Sequence, residues 1–280
     1  MGQAVESILF LKDKARYNEI ATCATQFNAV YNGNNIIQDD IFHIVENYTR
    51  KHGIPFELLR YPVADQELCA CTFIRENRLF VFVNAAIPLA KQIFAVAHEL
   101  FHIYRYVEGS DTELSECGSI LNLSTLDEEA TATEDMEANA FAGLLLAPAD
   151  RISEQMRIYD IKRGEIALQD ILMLMEIFAI PYKALVIRLF EEDVLARGKI
   201  REFLSFSPEE IKKQADLTDR AARWLEVPKT PYRFGTLFEK IKRAEQMESV
   251  REERIQSDME VINVIKKSIE NLGGAGNDRG

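Results

Sequence analysis

A strongly apolar segment with two histidines near its centre most constrains how this chain can fold. Residues 87–108 read IPLAKQIFAVAHELFHIYRYVE. Pro88 suits the start of a helix, because proline lacks the N–H that would be unpaired there. Apolar residues nearly encircle this helix, so we expect it to run through the centre of a domain. His98 and His102 are about one helical turn apart, which places both imidazoles on one face.

The two histidines belong to the pattern H-E-x-x-H. Their imidazoles can occupy two corners of a zinc tetrahedron, and Glu99 then lies beside a water whose proton it can accept. So short a pattern also occurs by chance, but an ionisable cluster on an apolar helix is costly to bury without a partner such as a metal. We therefore predict that His98 and His102 bind zinc and that Glu99 is the catalytic base.

A catalytic zinc ion usually has three protein ligands and one position for water. The eleven residues after His102 contain no further histidine, and the nearest carboxylates that open a helix are in residues 133–147. Asp135 shares the face of two alanines that would let this helix approach the first one closely. Acidic residues in a first turn would also simply complement the helix dipole. We predict Asp135 as the third ligand, with Glu134 as the alternative and Glu137 in a supporting or solvent-facing position.

The residues before the apolar helix indicate one helix and a small sheet. A helical spacing of apolar residues ends at Gly53, a natural C-terminal cap. Three β-rich runs follow, the last two joined by a tight turn at Glu76 and Asn77. We predict an α+β fold with a small antiparallel sheet, from a helix at 36–53 and strands at 54–61, 68–76 and 78–84.

The second half of the chain is mainly helical. Residues 165–198 read as two helices separated at Ile180 and Pro181, and resemble a helix-turn-helix hairpin of mixed charge. Ser207 followed by proline indicates the start of another helix. We predict an N-terminal helical extension at 1–34, a zincin-like peptidase domain at 35–200, a helical C-terminal region at 201–272 and a disordered tail at 273–280.

Composition narrows the possible partners and the compartment. Lysine and arginine number 33 against 45 aspartate and glutamate, a net charge of −12 that argues against direct nucleic-acid binding. No apolar run approaches the roughly 18–20 residues of a membrane span, and the first residues do not resemble a signal peptide. The four cysteines form no C-x-x-C pair. We expect a cytoplasmic protein without a membrane partner.

Two motifs in order resemble the ImmA/IrrE family of zinc-dependent metallopeptidases. The first is H-E-L-F-H at 98–102, and the second is D-M-E-A-N-A-F-A at 135–142, running into L-L-L-A-P at 144–148. The similarity continues weakly through 175–196 and covers about residues 35–200. The combination of both motifs is much more specific than either alone.

This resemblance implies a cytosolic, zincin-like α+β domain. Members of the family cleave repressors of the helix-turn-helix type and so relieve repression of stress or mobile-element genes. By position, His98 and His102 are zinc ligands, Glu99 is the catalytic base and Asp135 takes the place of the third ligand. The family usually has glutamate where Asp135 stands and glycine where Phe101 stands.

Three functions remain open at the level of the sequence. The first is a zinc endopeptidase whose partner is a DNA-binding repressor, with the substrate extended along the sheet edge. The second is a regulatory module that keeps the zincin fold but binds its partner without hydrolysis. The third is a DNA-contacting regulator that uses residues 165–200. Two smaller hypotheses are that Asn139 orients a zinc-bound histidine and that Cys117 caps the zinc in a latent state.

Overall fold

The structure is a computed structural model that describes residues 8–63, 65, 67–109, 118–122, 125, 132–228 and 233–246, together with a few single positions after 255. Cys117, residues 110–117, 123, 124 and 126–131 of the acidic loop, and the tail at 273–280 lie outside the described residues. The helices among the described residues are α1 (Leu9–Lys12), α2 (Lys14–Asn32), α3 (Ile41–Lys51), α4 (Leu89–Val107), α5 (Thr133–Leu146), α6 (Ala149–Ile158), α7 (Leu168–Phe178), α8 (Tyr182–Glu191), α9 (Arg197–Leu204), α10 (Pro208–Thr218), α11 (Ala222–Leu225) and α12 (Leu237–Gln246).

A five-stranded sheet accompanies these helices, and its strand order is β4-β2-β3-β1-β5. The strands are β1 (Phe56–Tyr61), β2 (Leu68–Arg75), β3 (Arg78–Asn84), β4 (Ser119–Asn122) and β5 (Arg233–Phe234). The α+β class is therefore confirmed. The expectation of an entirely antiparallel sheet is wrong, because β1 pairs with β3 in parallel while the other pairs are antiparallel.

The side chain of Asn84 explains how β1 comes to lie beside β3. The connection from β1 to β2 passes the end of β3, and fully buried Asn84 binds it there. Its Oδ1 accepts a hydrogen bond from the backbone N–H of Val63 at 3.2 Å, and its Nδ2 donates to the carbonyl groups of Asp65 at 3.1 Å and Leu68 at 2.9 Å. These bonds satisfy backbone groups that a crossing over the sheet edge would leave unpaired.

Local signals in the sequence placed most elements correctly. Glu76 and Asn77 both have positive φ, at 50° and 57°, as a two-residue hairpin turn requires. Ser207 caps α10 by accepting a hydrogen bond from the backbone N–H of Glu210 at 3.2 Å. Thr133 is of a residue type that favours the N-cap position, but Ala132 is the N-cap of α5 and no side chain caps this helix.

Helix α4 runs through the centre of the molecule, as its apolar surface indicates. Leu89, Ala90 and every residue from Gln92 to Ile103 are buried. The helix packs against the sheet through β2 and β3, and against α3 and α5 on its other sides. Helix α2, from the predicted N-terminal extension, packs on α5 and buries Tyr17 and Phe27 in the same apolar core.

Helices from the second half of the chain pack into this core. Helices α7 and α8 form a hairpin whose turn contains Ala179 in the left-handed conformation, with φ of 52°. Strand β5 extends the sheet beside β1, and α12 follows it. Within the described residues, every helix is too short or too polar to span a bilayer.

Candidate metal centre

Close packing of α4 against α5 brings the predicted site residues together. Ala138 and Ala142 of α5 are fully buried at this contact, where their small side chains permit a close approach. Phe101, which stands where the family usually has glycine, is buried and packs its ring 5.2 Å from that of Phe141. The bulkier residue is thus accommodated between the helices, and the centroid of its ring lies 6.2 Å from that of His102 in an edge-on arrangement.

Three of the predicted residues form one cluster. The ligand atoms of His98, His102 and Asp135 all lie within 4.8 Å of one another. The Nε2 atoms of the two histidines are 3.3 Å apart, and Nε2 of His98 lies 3.6 Å from Oδ1 of Asp135. Both histidines are buried, whereas the side chain of Asp135 is 26% exposed.

These separations fit a tetrahedral zinc ion. Ligand atoms bound at about 2.0–2.1 Å from zinc lie about 3.3 Å from one another at tetrahedral angles. The two imidazole nitrogens already have that spacing, and the carboxylate oxygen is a few tenths of an ångström further away. The two nitrogens and one carboxylate oxygen are a donor set that catalytic zinc sites use.

Glu99 lies in the same site but outside the cluster of ligand atoms. It is fully buried, and neither of its carboxylate oxygens has a hydrogen-bond partner among the described residues. Burial raises its pKa, and the charge of His98 with the nearby hydroxyls of Thr72 and Ser119 only partly offsets that effect. An unpaired buried carboxylate is costly, so a cation held by the adjacent ligand atoms would stabilise it.

Asn139 holds the first histidine from the opposite side. Its Oδ1 lies 2.8 Å from Nδ1 of His98, and its Nδ2 donates to the carbonyl of Thr125 at 3.4 Å. With Nδ1 donating its proton to Asn139, the lone pair of His98 is on Nε2, the atom that faces His102 and Asp135. This is the contact expected of a residue that orients a metal-bound histidine.

The other acidic residues of α5 have different surroundings. The side chain of Glu134 is 42% exposed and lies 3.8 Å from Nη1 of Arg105, outside the cluster. The side chain of Glu137 is only 8% exposed, which corrects the solvent-facing alternative. It accepts hydrogen bonds from Nε of Arg16 at 2.8 Å and Nη2 at 2.7 Å. Nη1 of Arg105 lies 3.5 Å from the same carboxylate, so two arginines face it.

Electrostatics favour an ionised third ligand. The close approach of His98 lowers the pKa of Asp135, burial acts in the opposite direction, and the charges of His98 and His102 contribute further lowering. Asp135 is therefore a carboxylate near neutral pH, the form that binds a metal ion.

Sequence reasoning did not identify Arg16, Thr72 or Ser119 as neighbours of the site. Arg16 lies on α2, 121 positions before the glutamate that it binds. Thr72 and Ser119 are on adjacent strands, β2 and β4, and are paired in the sheet register. No spacing rule connects such residues to H-E-x-x-H, although Thr72 is a polar residue at an inward position of an apolar strand.

A family model agrees with the order of elements and the position of the site. The model described as IrrE N-terminal-like domain, a peptidase family, matches residues 49–190, slightly more than half of the chain. Curated proteins give no significant match to the chain. The matched range includes β1 to β3, the histidines of α4, all of α5 and most of the α7–α8 hairpin. The protein therefore belongs to the IrrE N-terminal-like peptidase family and contains its metallopeptidase-like domain.

Proposed function

We propose that the protein is a zinc-dependent endopeptidase in which His98, His102 and Asp135 hold the metal and Glu99 is the general base. One observation carries this proposal: the fully buried carboxylate of Glu99, which has no ion pair with lysine or arginine among the described residues, lies beside three converging metal-ligand atoms. A purely structural glutamate at such a depth would be paired. Family membership supports the same class of chemistry.

A zinc ion bound by these three side chains would activate water and polarise the carbonyl of the scissile bond. Glu99 would accept the proton of the attacking water and pass it to the leaving amine. Burial raises the pKa of Glu99 above its ordinary value, the direction that favours its accepting a proton. Asn139 would keep the Nε2 lone pair of His98 directed at the metal throughout.

Strand β4 is the element best placed to bind an extended substrate. Among the described residues it is an edge strand that pairs only with β2, and its Ser119 approaches Glu99. A peptide added along its other side would gain main-chain hydrogen bonds near the catalytic base. Ile120 of this strand is 61% exposed and would contact a side chain of that peptide.

We propose a cytoplasmic, DNA-binding repressor of the helix-turn-helix type as the substrate. The net charge of −12 supports a basic protein partner, because opposite charge speeds association. The same charge makes direct binding to nucleic acid unfavourable. The resemblance to peptidases that act on such repressors supports the same class of substrate.

The decisive test is to incubate the zinc-loaded protein with the helix-turn-helix regulator encoded beside it and to measure fragment masses. We expect defined fragments from the unmodified protein and none from Glu99→Gln, with zinc content near one per chain in both. Glu108→Gln is the matched control, because Glu108 is an exposed glutamate at the end of the same helix. It should cleave normally.

Two results would contradict the proposal in different ways. A protein that takes up no zinc would exclude the metal site itself. If Glu99→Gln binds the regulator and retains its biological output, the protein acts as a non-hydrolytic binding module.

A further inference from the structure

A pocket lies near the first turn of α4, before the helix reaches the metal cluster. Its volume is about 660 Å³, and residues from α3, β1, α4 and the segment around α11 and β5 line it. Pockets that bind small molecules commonly measure about 300–1,000 Å³. Three arginines line it, Arg60, Arg223 and Arg233.

Arg60 is held in place without an acidic partner. Its Nε donates a 2.7 Å hydrogen bond to Oε1 of Gln92, and its guanidinium carbon lies 4.6 Å from the ring centroid of Phe42. Gln92 is fully buried and is itself fixed by donating to the carbonyl of Ile87 at 2.6 Å. The guanidinium is thereby oriented, and among the described residues its two Nη groups have no hydrogen bond or ion pair.

The other two arginines of the pocket each have an acidic partner. Arg223 lies 3.0 Å from Oδ2 of Asp39, and Arg233 lies 3.2 Å from Oε1 of Glu46. Burial and the neighbouring charge of Arg233 lower the pKa of Arg60, while Asp39 is too distant for an ion pair and raises it only in part. An arginine in such surroundings is stabilised by any oxyanion that enters the pocket.

The rest of the lining is mixed, with an apolar part and the exposed side chain of His43. Leu89, Val227 and Pro228 line the pocket, and the side chain of Val227 is 47% exposed although it is hydrophobic. A ligand that joined an oxyanion to an apolar body would cover Val227 and pair with Arg60 together. The two remaining acidic side chains of the lining, Asp40 and Glu226, are exposed to solvent.

We propose that this pocket binds a small organic oxyanion, a carboxylate or a phosphate monoester with an apolar group, through the Nη groups of Arg60. The site is separate from the metal cluster: Gln92, which orients Arg60, precedes His98 by six residues, about 9 Å along the helix axis. A bound ligand would also bridge the first turn of α4 to the C-terminal segment, whose Glu226 carbonyl accepts a hydrogen bond from the backbone N–H of Leu89 at 3.0 Å.

Calorimetric titration of the zinc-loaded full chain with benzoate and with phenyl phosphate tests this proposal. We expect saturable binding of at least one probe, and a dissociation constant at least tenfold higher in Arg60→Gln. Arg201→Gln removes the same charge from an exposed position on α9 and should bind like the unmodified protein. The preferred probe identifies the oxyanion as carboxylate or phosphate.

Two further variants keep the result independent of folding and of zinc. Val227→Glu places a negative charge at an exposed position of the pocket and should also weaken binding at least tenfold. The double variant His98→Ala and His102→Ala should still bind the probe, because the pocket is separate from the metal ligands. A probe that bound only to zinc would no longer bind to this variant. Three results would each overturn the proposal. They are no saturable binding, an affinity in Arg60→Gln and Val227→Glu that equals that of the unmodified protein, and loss of binding in the double histidine variant.

Discussion

Arg16 of α2 donates two hydrogen bonds to the carboxylate of Glu137 in α5, from Nε at 2.8 Å and from Nη2 at 2.7 Å. Glu137 is two residues after Asp135, so the first long helix of the chain is attached directly to the helix that carries the third candidate ligand. Residues before the matched family region therefore take part in holding the site.

Removing Arg16 should destabilise the protein by about 1–3 kcal/mol, because Glu137 would remain buried with weaker pairing. The measurement is urea unfolding of Arg16→Met, Glu137→Met and the double variant. The double variant should lose less than the sum of the single losses. Arg16 also binds exposed Glu19, so Glu19→Gln is the control and should change stability by less than about 0.5 kcal/mol. Additive losses would show that the pair is not coupled.

Asp135→Ala should weaken zinc binding at least tenfold, whereas Glu134→Ala should leave it nearly unchanged. The two carboxylates are adjacent in sequence, but only Asp135 has an oxygen within the cluster of ligand atoms. Competition with a chromophoric chelator measures both affinities under identical conditions. An equal loss in the two variants, or a larger loss in Glu134→Ala, would contradict the assignment of Asp135 as ligand.

Asn139→Ala should lower zinc affinity by about 10–100-fold, the usual effect of removing a residue that orients a metal-bound histidine. Asn139→Asp should restore most of that affinity, because a carboxylate also accepts the proton of Nδ1 of His98. A general loss of packing would affect both variants alike, so recovery in Asn139→Asp distinguishes orientation from stability. Thermal unfolding of the metal-free variants checks that the fold is retained.

Glu57 makes the attachment of the C-terminal segment dependent on pH. Its buried carboxylate accepts hydrogen bonds from Nζ of Lys240 at 2.7 Å and from the backbone N–H of Thr236 at 2.6 Å. Burial opposes its ionisation, but the hydrogen bonds from Lys240 and Thr236 outweigh burial and lower its pKa. A Cβ at Gly235, where φ is 56°, would lie 2.2 Å from this carboxylate, so the chain passes closely over it.

Since the pKa of Glu57 is lower in the folded state, its contribution to stability is complete above the unfolded value of about 4.3 and is lost as pH falls through the folded value. Glu57→Gln should therefore cost about 1–3 kcal/mol at pH 7 and progressively less below about pH 4. Urea unfolding between pH 7 and pH 3 measures the difference. Glu239→Gln, an exposed glutamate of α12, should show no such dependence. A constant difference across this range would contradict the assignment.

The parts of the site that could be predicted are those with a local signal. His98 and His102 are one turn apart on a helix whose apolar character is evident, and the face of α5 favoured Asp135 over Glu134. The link between Arg16 and Glu137 has no such signal, because any of the chain's arginines could have paired with an acidic residue. Only the folded core determines which side chains meet across such a separation.

Local signals in the sequence likewise do not determine how the strands of the sheet pair. Alternation of apolar residues predicted the strands and the hairpin, because side-chain direction alternates in every strand. The alternation is the same whether neighbouring strands run parallel or antiparallel, so it could not place β1 beside β3. The buried amide of Asn84 determines that arrangement, and an asparagine at a strand end is an ordinary turn signal in a sequence.

The bonds of Asn84 also imply an order in which the sheet assembles. The hairpin of β2 and β3 needs only its two-residue turn, whereas β1 must pair with β3 across a longer loop, and the entropy of closing that loop favours the hairpin first. Leu68 comes beside Asn84 in the hairpin itself, whereas Asn84 reaches the backbone of Val63 and Asp65 only when the connection from β1 lies across the end of β3. The hydrogen bonds to Val63 and Asp65 therefore form late in folding. Because α4 begins five residues after Asn84, the start of the helix that carries both histidines is fixed to the sheet when these hydrogen bonds form.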